Sequence, residues 1–405
     1  MNHIHHSSSS RAINLRRRGT STRPRSFAVK PLAACIGLLL AANAFAADTP
    51  MGGVVVAGNA NIGNTTNTTT IQQSSQLVAI NWDSFNIGVG QSVVFNQPNS
   101  SSVALNRVLG SDPSSILGTL SANGQVFLVN PNGVMFGKGA SVNVGGLVAS
   151  TRDLDIGKSN FGTGHYVFSG EGAGAVLNAG SIHAADGGYV ALLGANVSNQ
   201  GVITARLGSV VLAAGNALTM DVAGDGLLSV AVNADAANAL VQNSGMIQAD
   251  GGNVLLTTQS AAGLLQTAVN NTGVIRAQTI GQRNGTIELL AGMQGGSVNS
   301  GGTLDASAPD GGDGGFIETS GGNVRIADGS FVTTAAPMGK TGLFVIDPQD
   351  IIIGPGGTIS GATLSAQLVT TSVNFTTSQS GNGNGDIVVN DAIAWTASGA
   401  PTTLS

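Results

Sequence analysis

The residues that could do chemistry in this 405-residue chain are few and scattered. Arg152, Asp153, Asp155 and Lys158 form the densest charged group. Paired carboxylates with neighbouring cations are what a polysaccharide-acting enzyme needs, one group protonating the leaving oxygen while the other acts as base or nucleophile. Nine basic residues spread over the chain after Lys30 supply little material for such a site, so this group reads as a solvated face. His165 and His183 are the only histidines after residue 6 and are not in metal-ligand spacing. Asp310-Gly-Gly-Asp313-Gly-Gly lacks the nine-residue period of a calcium-binding repeat and reads as a solvated loop. No G-x-S-x-G, Cys/His pair or phosphate loop occurs. The expectation is a protein with no catalytic, cofactor or metal site.

A different kind of motif sits between Gly124 and Arg152. Val126, Leu128 and Val129 approach a strand that ends at Asn130-Pro131-Asn132-Gly133, and Val134 and Phe136 resume a second strand. Pro131 presets φ for the second position of a tight turn, Asn132 tolerates a left-handed backbone and Gly133 takes one freely. Upstream, Asn81 to Gly88, Val93 to Asn99 and Val103 to Val108 alternate apolar and polar residues in short phrases, which predicts strands with Trp82 and Phe85 in the core. Asp112 to Leu120 is the best helix candidate: Asp112 can cap, Pro113 suits the first helical position, and Ile116, Leu117 and Leu120 share a face.

Composition bounds the architecture. Sixty glycines, 9% charged residues, 4% aromatics and a mean hydropathy of +0.23 suit stacked short strands with tight turns. Abundant Val, Ile and Leu with low charge are the opposite of a disordered composition. Seven Arg and Lys residues precede Asp48, the first acid, and the rest of the chain sets 9 basic against 21 acidic residues, a net of −12. That acidic body lacks the basic stripe that binding nucleic acid requires.

The N-terminus reads as residues 1–46 of signal peptide. An extended basic region ends at Lys30, an apolar run too short for a membrane span follows from Leu32 to Ala42, and Ala44-Phe45-Ala46 presents the small-x-small pattern, placing cleavage between Ala46 and Ala47. Cys35 is the only cysteine and would leave with it, so the exported chain relies on hydrogen bonds and core packing without disulfides.

After Asn178 a repeat becomes visible. Asn178 to Ile182, Asn199 to Ile203, Asn243 to Ile247 and Asn271 to Ile275 all spell N-x-G-x-I, with Asn299 beginning a degenerate copy. Each is followed by a strand phrase such as Gly208-Ser-Val-Val-Leu212. Recurrence at this scale indicates stacked coils feeding parallel sheets. Asparagines at equivalent corners can form hydrogen-bonded ladders, and the long gap near Gly224 to Asn238 predicts a protruding loop or hairpin. Val54 to Thr70 reads as an end cap protecting the first strands. Gly342 to Pro348 begins a fresh strand phrase, with a soft boundary near Gly301, and Ser405 follows a strand phrase with no closing cap, as expected of the front part of a longer product.

The ordered phrases from about Val54 to Asp155, including NWDSFNIG, VVFNQPN, VALNRV and NPNG, resemble the secretion domain of two-partner-secretion exoproteins, the filamentous-haemagglutinin and high-molecular-weight-adhesin family. The resemblance implies an all-β, right-handed parallel β-helix with an N-terminal cap and small extra-helical β-hairpins. It implies a secretion domain over 47–300 and the start of a downstream repeat region over 301–405. It further implies passage by the general secretory machinery, recognition by a partner outer-membrane β-barrel transporter with periplasmic docking domains, and folding outside the cell as a secreted or surface adhesin of a Gram-negative bacterium, with the host-cell or bacterial receptor unnamed. A toxin, a haemolysin or a ligand-scavenging protein could be delivered by the same domain, and a β-helix enzyme is the remaining alternative. The family's secretion motif carries onto Asn130, Pro131, Asn132 and Gly133. Its second motif, N-P-N-L, has its nearest counterpart in Asn96-Gln97-Pro98-Asn99, which departs from the pattern. The residues themselves fit a folding turn as well as a recognition signal.

Overall fold

The letters of the repeat have separate structural jobs, visible in a computed structural model that describes residues 49–161, 163–222, 228–234, 236, 239–258, 268–377 and 383–405. The signal segment 1–46 and the Ala46/Ala47 junction lie outside the described residues. In N-x-G-x-I the isoleucine points inward: Ile182, Ile203, Ile247, Ile275, Leu304 and Val332 stack in register and are all buried. The glycine is required by close approach. A Cβ on Gly201, Gly245, Gly273 or Gly302 would lie within 2.1 Å of the carbonyl oxygen of the glycine one coil below. The asparagine forms a ladder inside the corner. Asn178 Nδ2 donates to Asn199 Oδ1, Asn199 to Asn243 and Asn243 to Asn271, each at 2.8 Å, and all four are fully buried.

Three parallel ladders result. Ladder one runs from Thr68–Gln73 through Ser92–Asn96 and Thr119–Ala122 up to Phe331–Thr333. Ladder two runs from Leu77–Trp82 through Val103–Val108 and Gln125–Val129 up to Ser372–Phe375. Ladder three comprises eight short strands from Ser114–Ile116 and Val134–Phe136 to Asn323–Ile326. Ser141–Ser150 and Ser181–Gly194 are long strands that turn a corner and serve ladders one and two in succession. The inward faces of all three enclose one apolar core running the length of the stack. This is a parallel β-helix. Its N-terminal end is covered by antiparallel strands, Val54–Ala57 on Leu77–Trp82 and Ala60–Asn64 on Thr68–Gln73, which occupy edges that would otherwise template aggregation.

Trp82 and Phe85 are core residues, packed edge to face at 5.5 Å, with Trp82 Nε1 donating to buried Asn106 Oδ1. The protrusion is a hairpin, Ala217–Val222 with Leu228–Ala234, which joins His165–Ser169 and Asp153–Leu154 in a four-stranded antiparallel sheet. That sheet covers the outer face of ladder two through a second apolar cluster that includes Phe127, Tyr166, Phe168, Tyr189, Leu218 and Met220.

Three expectations are corrected. Asp112 to Leu120 is not a helix: Ser114–Ile116 and Thr119–Ala122 are strands in ladders three and one. Local capping signals lose there to rung pairing, since Ile116 and Leu120 reach the core equally well from strands. Among the described residues the one α-helix is Gly361–Gln367, N-capped by Ser360, whose Oγ accepts from Thr363 N at 3.3 Å. The degenerate repeat begins one residue later than its asparagine: Ser300, not Asn299, takes the ladder register above Asn271. Arg152 does not belong to a solvated face. It is fully buried.

Candidate functional site

The Asn130–Gly133 turn joins a strand of ladder two to a strand of ladder three at one corner of the helix. Gly133 N donates to Asn130 O at 3.0 Å, closing a four-residue turn, and Gly133 has φ +130°. Asn132 keeps a negative φ, for the only described non-glycine with positive φ is Leu207. The left-handed position thus falls on glycine alone, and the turn is of the common kind with proline second.

The two asparagines differ in environment. Asn130 is fully buried; its Nδ2 donates to Asp112 O at 3.0 Å and Ser114 Oγ at 3.1 Å, and its Oδ1 accepts from Asn132 N at 3.0 Å. It therefore ties the turn to the coil below. Asn132 is exposed, and its Nδ2 reaches Gly110 O at 2.9 Å and Asn130 Oδ1 at 3.3 Å. Half-buried Pro131 and exposed Asn132 face solvent beside exposed Leu109, Asp112 and Pro113 of the preceding coil.

Asn96-Gln97-Pro98-Asn99 lies at a different corner, between ladders one and two. Gln97 is the buried member. Its Nε2 donates to Gln73 Oε1, Ser102 O and Gln125 O at 3.0–3.3 Å, and its Oε1 accepts from Gly124 N at 3.0 Å. Asn99 bonds Gln76 at 3.0 Å and accepts from Ser101 N and Oγ, whereas Asn96 Nδ2 reaches Gln72 Oε1 at 3.1 Å. The extra glutamine in this departure from N-P-N-L fills the corner with side-chain bonds to three coils. The two motifs do not meet in one site.

Other chemistry-bearing groups are dispersed. Asp155 pairs with Lys158, whose ammonium and hydrogen bonds hold the carboxyl below its usual range; Asp153 pairs with Arg107; His165 meets Asp221 across the extra-helical sheet; His183 is exposed on its strand. Glu288 and Glu318 are register partners on the outer face of ladder two, and burial followed by repulsion from Glu318 raises the Glu288 carboxyl. Single glutamates thirty positions apart gave no sequence signal; only stacking pairs them. A groove of about 700 Å³ between ladders one and two is lined by Asn123, Gln125, Asn143, His183, Asp186 and Tyr189 among others. Among the described residues no group of three or more His, Cys, Asp or Glu could hold a metal, and no helix is long and apolar enough to cross a membrane.

Comparison with known proteins bears on this geometry. The chain is 40% identical over 256 residues to a heme/hemopexin-binding protein of Haemophilus influenzae strain Rd, covering 61% of this chain and 28% of that protein. A second Haemophilus influenzae heme/hemopexin-binding protein is 36% identical over 285 residues, covering 64% of this chain and 30% of its own length. The chain thus spans less than a third of these relatives. Among solved structures, the HMW1 secretion domain of Haemophilus influenzae superposes with a TM-score of 0.65 at 25% identity, covering 88% of this chain and all of that one. Residues 46–306, which include the cap, both corner motifs and most of the stack, match the TPS secretion domain model, and the chain belongs to the TPS secretion domain family.

Proposed function

We propose that residues 47–300 are the signal-bearing secretion domain of a large exported exoprotein and that residues 301–405 begin its downstream repeat region. The observation that carries this reading is the family match over a β-helix whose Asn-Pro-Asn-Gly corner leaves Asn132 exposed and Pro131 half-buried while burying Asn130. After the signal peptide is cleaved between Ala46 and Ala47, the chain crosses the inner membrane through the general secretory machinery. A partner outer-membrane β-barrel transporter with periplasmic docking domains then recognises the region around Asn130, Pro131, Asn132 and Gly133, and the protein folds outside as an adhesin or haemagglutinin-like, non-catalytic protein. Each coil added to a finished stack gains ladder hydrogen bonds and burial that it lacks in the pore, which biases passage outward. Asn96, Gln97, Pro98 and Asn99 act in folding, given how many coils Gln97 joins.

A second reading concerns the delivered protein. Two relatives at 36–40% identity are named for binding heme or hemopexin, which favours a ligand-scavenging exoprotein over a toxin or haemolysin.

Export from a Gram-negative host, with and without the transporter from the same locus, tests the proposal. Asn132→Ala removes an exposed side chain and is expected to leave melting near wild type while holding the protein in the periplasm. Wild-type export that needs no transporter, or an Asn132→Ala variant that reaches the medium normally, overturns it.

A further inference from the structure

We propose that the groove at the corner between ladders one and two is a binding site for a neutral oligosaccharide, which Asn143, His183 and Gln125 hold over a floor formed by Tyr189. The groove arises once the coils have stacked, so it acts after export and goes beyond the function proposed above.

The number of residues that each coil spends on this corner creates the recess. The coil of Ser141–Ser150 turns it with Gly145 alone, between Val144 and Gly146. The coil below uses two residues, Asn123 and Gly124, and the one below that a six-residue loop between Asn96 and Val103. The coil above uses four, Ala185 to Gly188, between Ala184 and Tyr189. Gly145 is seated so closely that a Cβ would lie 2.8 Å from Gly124 O. The low corner is thereby framed by protruding rims, Ser100 and Ser101 below and Asp186 above, which enclose about 700 Å³. Cavities of that size take small organic ligands. Rungs spaced about 4.8 Å apart give the groove a length of roughly 10–15 Å over its three coils, which suits a short oligosaccharide.

The polar atoms facing it suit a sugar. Asn143 and His183 are register partners on the outer face of ladder one, and both are exposed. Asn143 Nδ2 donates to Ser141 Oγ at 3.2 Å, while its Oδ1 and both ring nitrogens of His183 have no partner among the described residues. On the other wall, a Cβ on Gly146 would lie 3.2 Å from the ring of Tyr189, its register partner, so glycine there lets the ring lie against the coil. The Tyr189 hydroxyl donates to Gln125 Oε1 at 2.7 Å. That bond holds the amide and leaves Nε2 to donate. Sugar hydroxyls both donate and accept, and a free amide oxygen, a free amide N–H and an imidazole with one nitrogen of each kind complement them.

Other ligand classes are disfavoured. Among the described residues the lining holds no lysine or arginine, and neighbouring Arg206 is paired with Asp186, so a phosphate or sulfate polymer finds no free cation. Rung hydrogen bonds occupy the strands on both sides of the corner, so a peptide has no sheet edge to join.

The purified folded protein is tested on an array of immobilised neutral oligosaccharides of two to four units beside sulfated ones, and the best neutral binder is titrated by calorimetry. Saturable binding of a neutral oligosaccharide is expected. Asn143→Ala and His183→Ala change exposed side chains, and each is expected to weaken binding about tenfold with melting unchanged. Asn143→Trp fills the recess and is expected to abolish binding, whereas Asn270→Ala on ladder three binds as wild type. No saturable neutral binder on the array, or binding that survives Asn143→Trp, overturns the inference. Binding confined to sulfated oligosaccharides overturns it as well. None of these results touches the export reading, which is decided by whether secretion needs the transporter.

Discussion

Replacing Asn243 with alanine probes whether the corner ladder holds the stack together. Asn243 accepts from Asn199 Nδ2 and donates to Asn271 Oδ1, both at 2.8 Å, in a fully buried corner. Alanine deprives Asn271 Oδ1 of that donor. Asn199 Nδ2 keeps longer contacts to Met246 O at 3.3 Å and Gly201 O at 3.4 Å, so its loss is partial. A stranded buried acceptor costs about 1–3 kcal/mol and a lost hydrogen bond about 0.5–1.5 kcal/mol. The expected destabilisation is therefore about 2–4 kcal/mol. Because a repeat stack need not unfold in one step, urea unfolding should be paired with amide hydrogen exchange over residues 240–275, where protection is expected to fall first. Asn270→Ala is the matched control: it changes the same residue type beside the next rung, one position before Asn271, on the outer face, where its oxygen takes an exposed bond from Asn299. It is expected to cost under about 0.5 kcal/mol. Equal effects from the two variants would refute the ladder as a source of stability.

Further outcomes follow from other positions. Ser300 occupies the next rung of the ladder, and its buried Oγ has no hydrogen-bond partner; Ser300→Asn extends the ladder and is expected to raise stability by about 1 kcal/mol in urea unfolding. Arg152→Met strands the acceptors at Gly172, Gly215 and Asn216 and is expected to cost about 3 kcal/mol or more, with earlier proteolysis of the extra-helical sheet as a second readout. The Glu288 carboxyl is raised by burial and by Glu318. The folded protein therefore holds its proton more tightly than the unfolded chain, and stability from this group is present below its ordinary pKa of about 4.5 and lost as pH rises through the raised folded value. Glu288→Gln is expected to flatten that part of the stability–pH curve and to melt slightly higher at neutral pH.

What was legible in the sequence was whatever repeats or acts locally. The N-x-G-x-I phrase shows three constraints at once because each coil solves the same packing problem: a buried isoleucine column, a glycine with no room for Cβ, and an asparagine bonded to the next asparagine. The cap, the core placement of Trp82 and Phe85 and the extra-helical hairpin were readable for similar reasons, as were the residues of the Asn130 turn. The helix after Ser360 has a local signal of its own, a capping serine followed by Ala, Leu and Gln, but it is only seven residues long, and the Asp112–Pro113 pair carries stronger local marks in a segment that is strand. That segment is strand because neighbouring coils offer rungs: Thr119–Ala122 pairs on both sides, and Ser114–Ile116 pairs with Val134–Phe136 on one side and meets Ile87 in a single bridge on the other.

Residues joined by stacking alone were invisible. Arg152 meets Gly172, Gly215 and Asn216 at separations of 20, 63 and 64 residues, so its neighbours Asp153 and Asp155 suggested a solvated charge group when its side chain points inward. Glu288 and Glu318 pair across one coil, and the shift from Asn299 to Ser300 depends on which residue the rung below selects. By itself the sequence determined the class of fold, because period and side-chain size are local properties that each coil must satisfy. The tertiary structure decided which asparagine of the turn is buried, which is exposed and what lies over them, because those depend on the register between coils and on backbone that enters the corner from far along the chain.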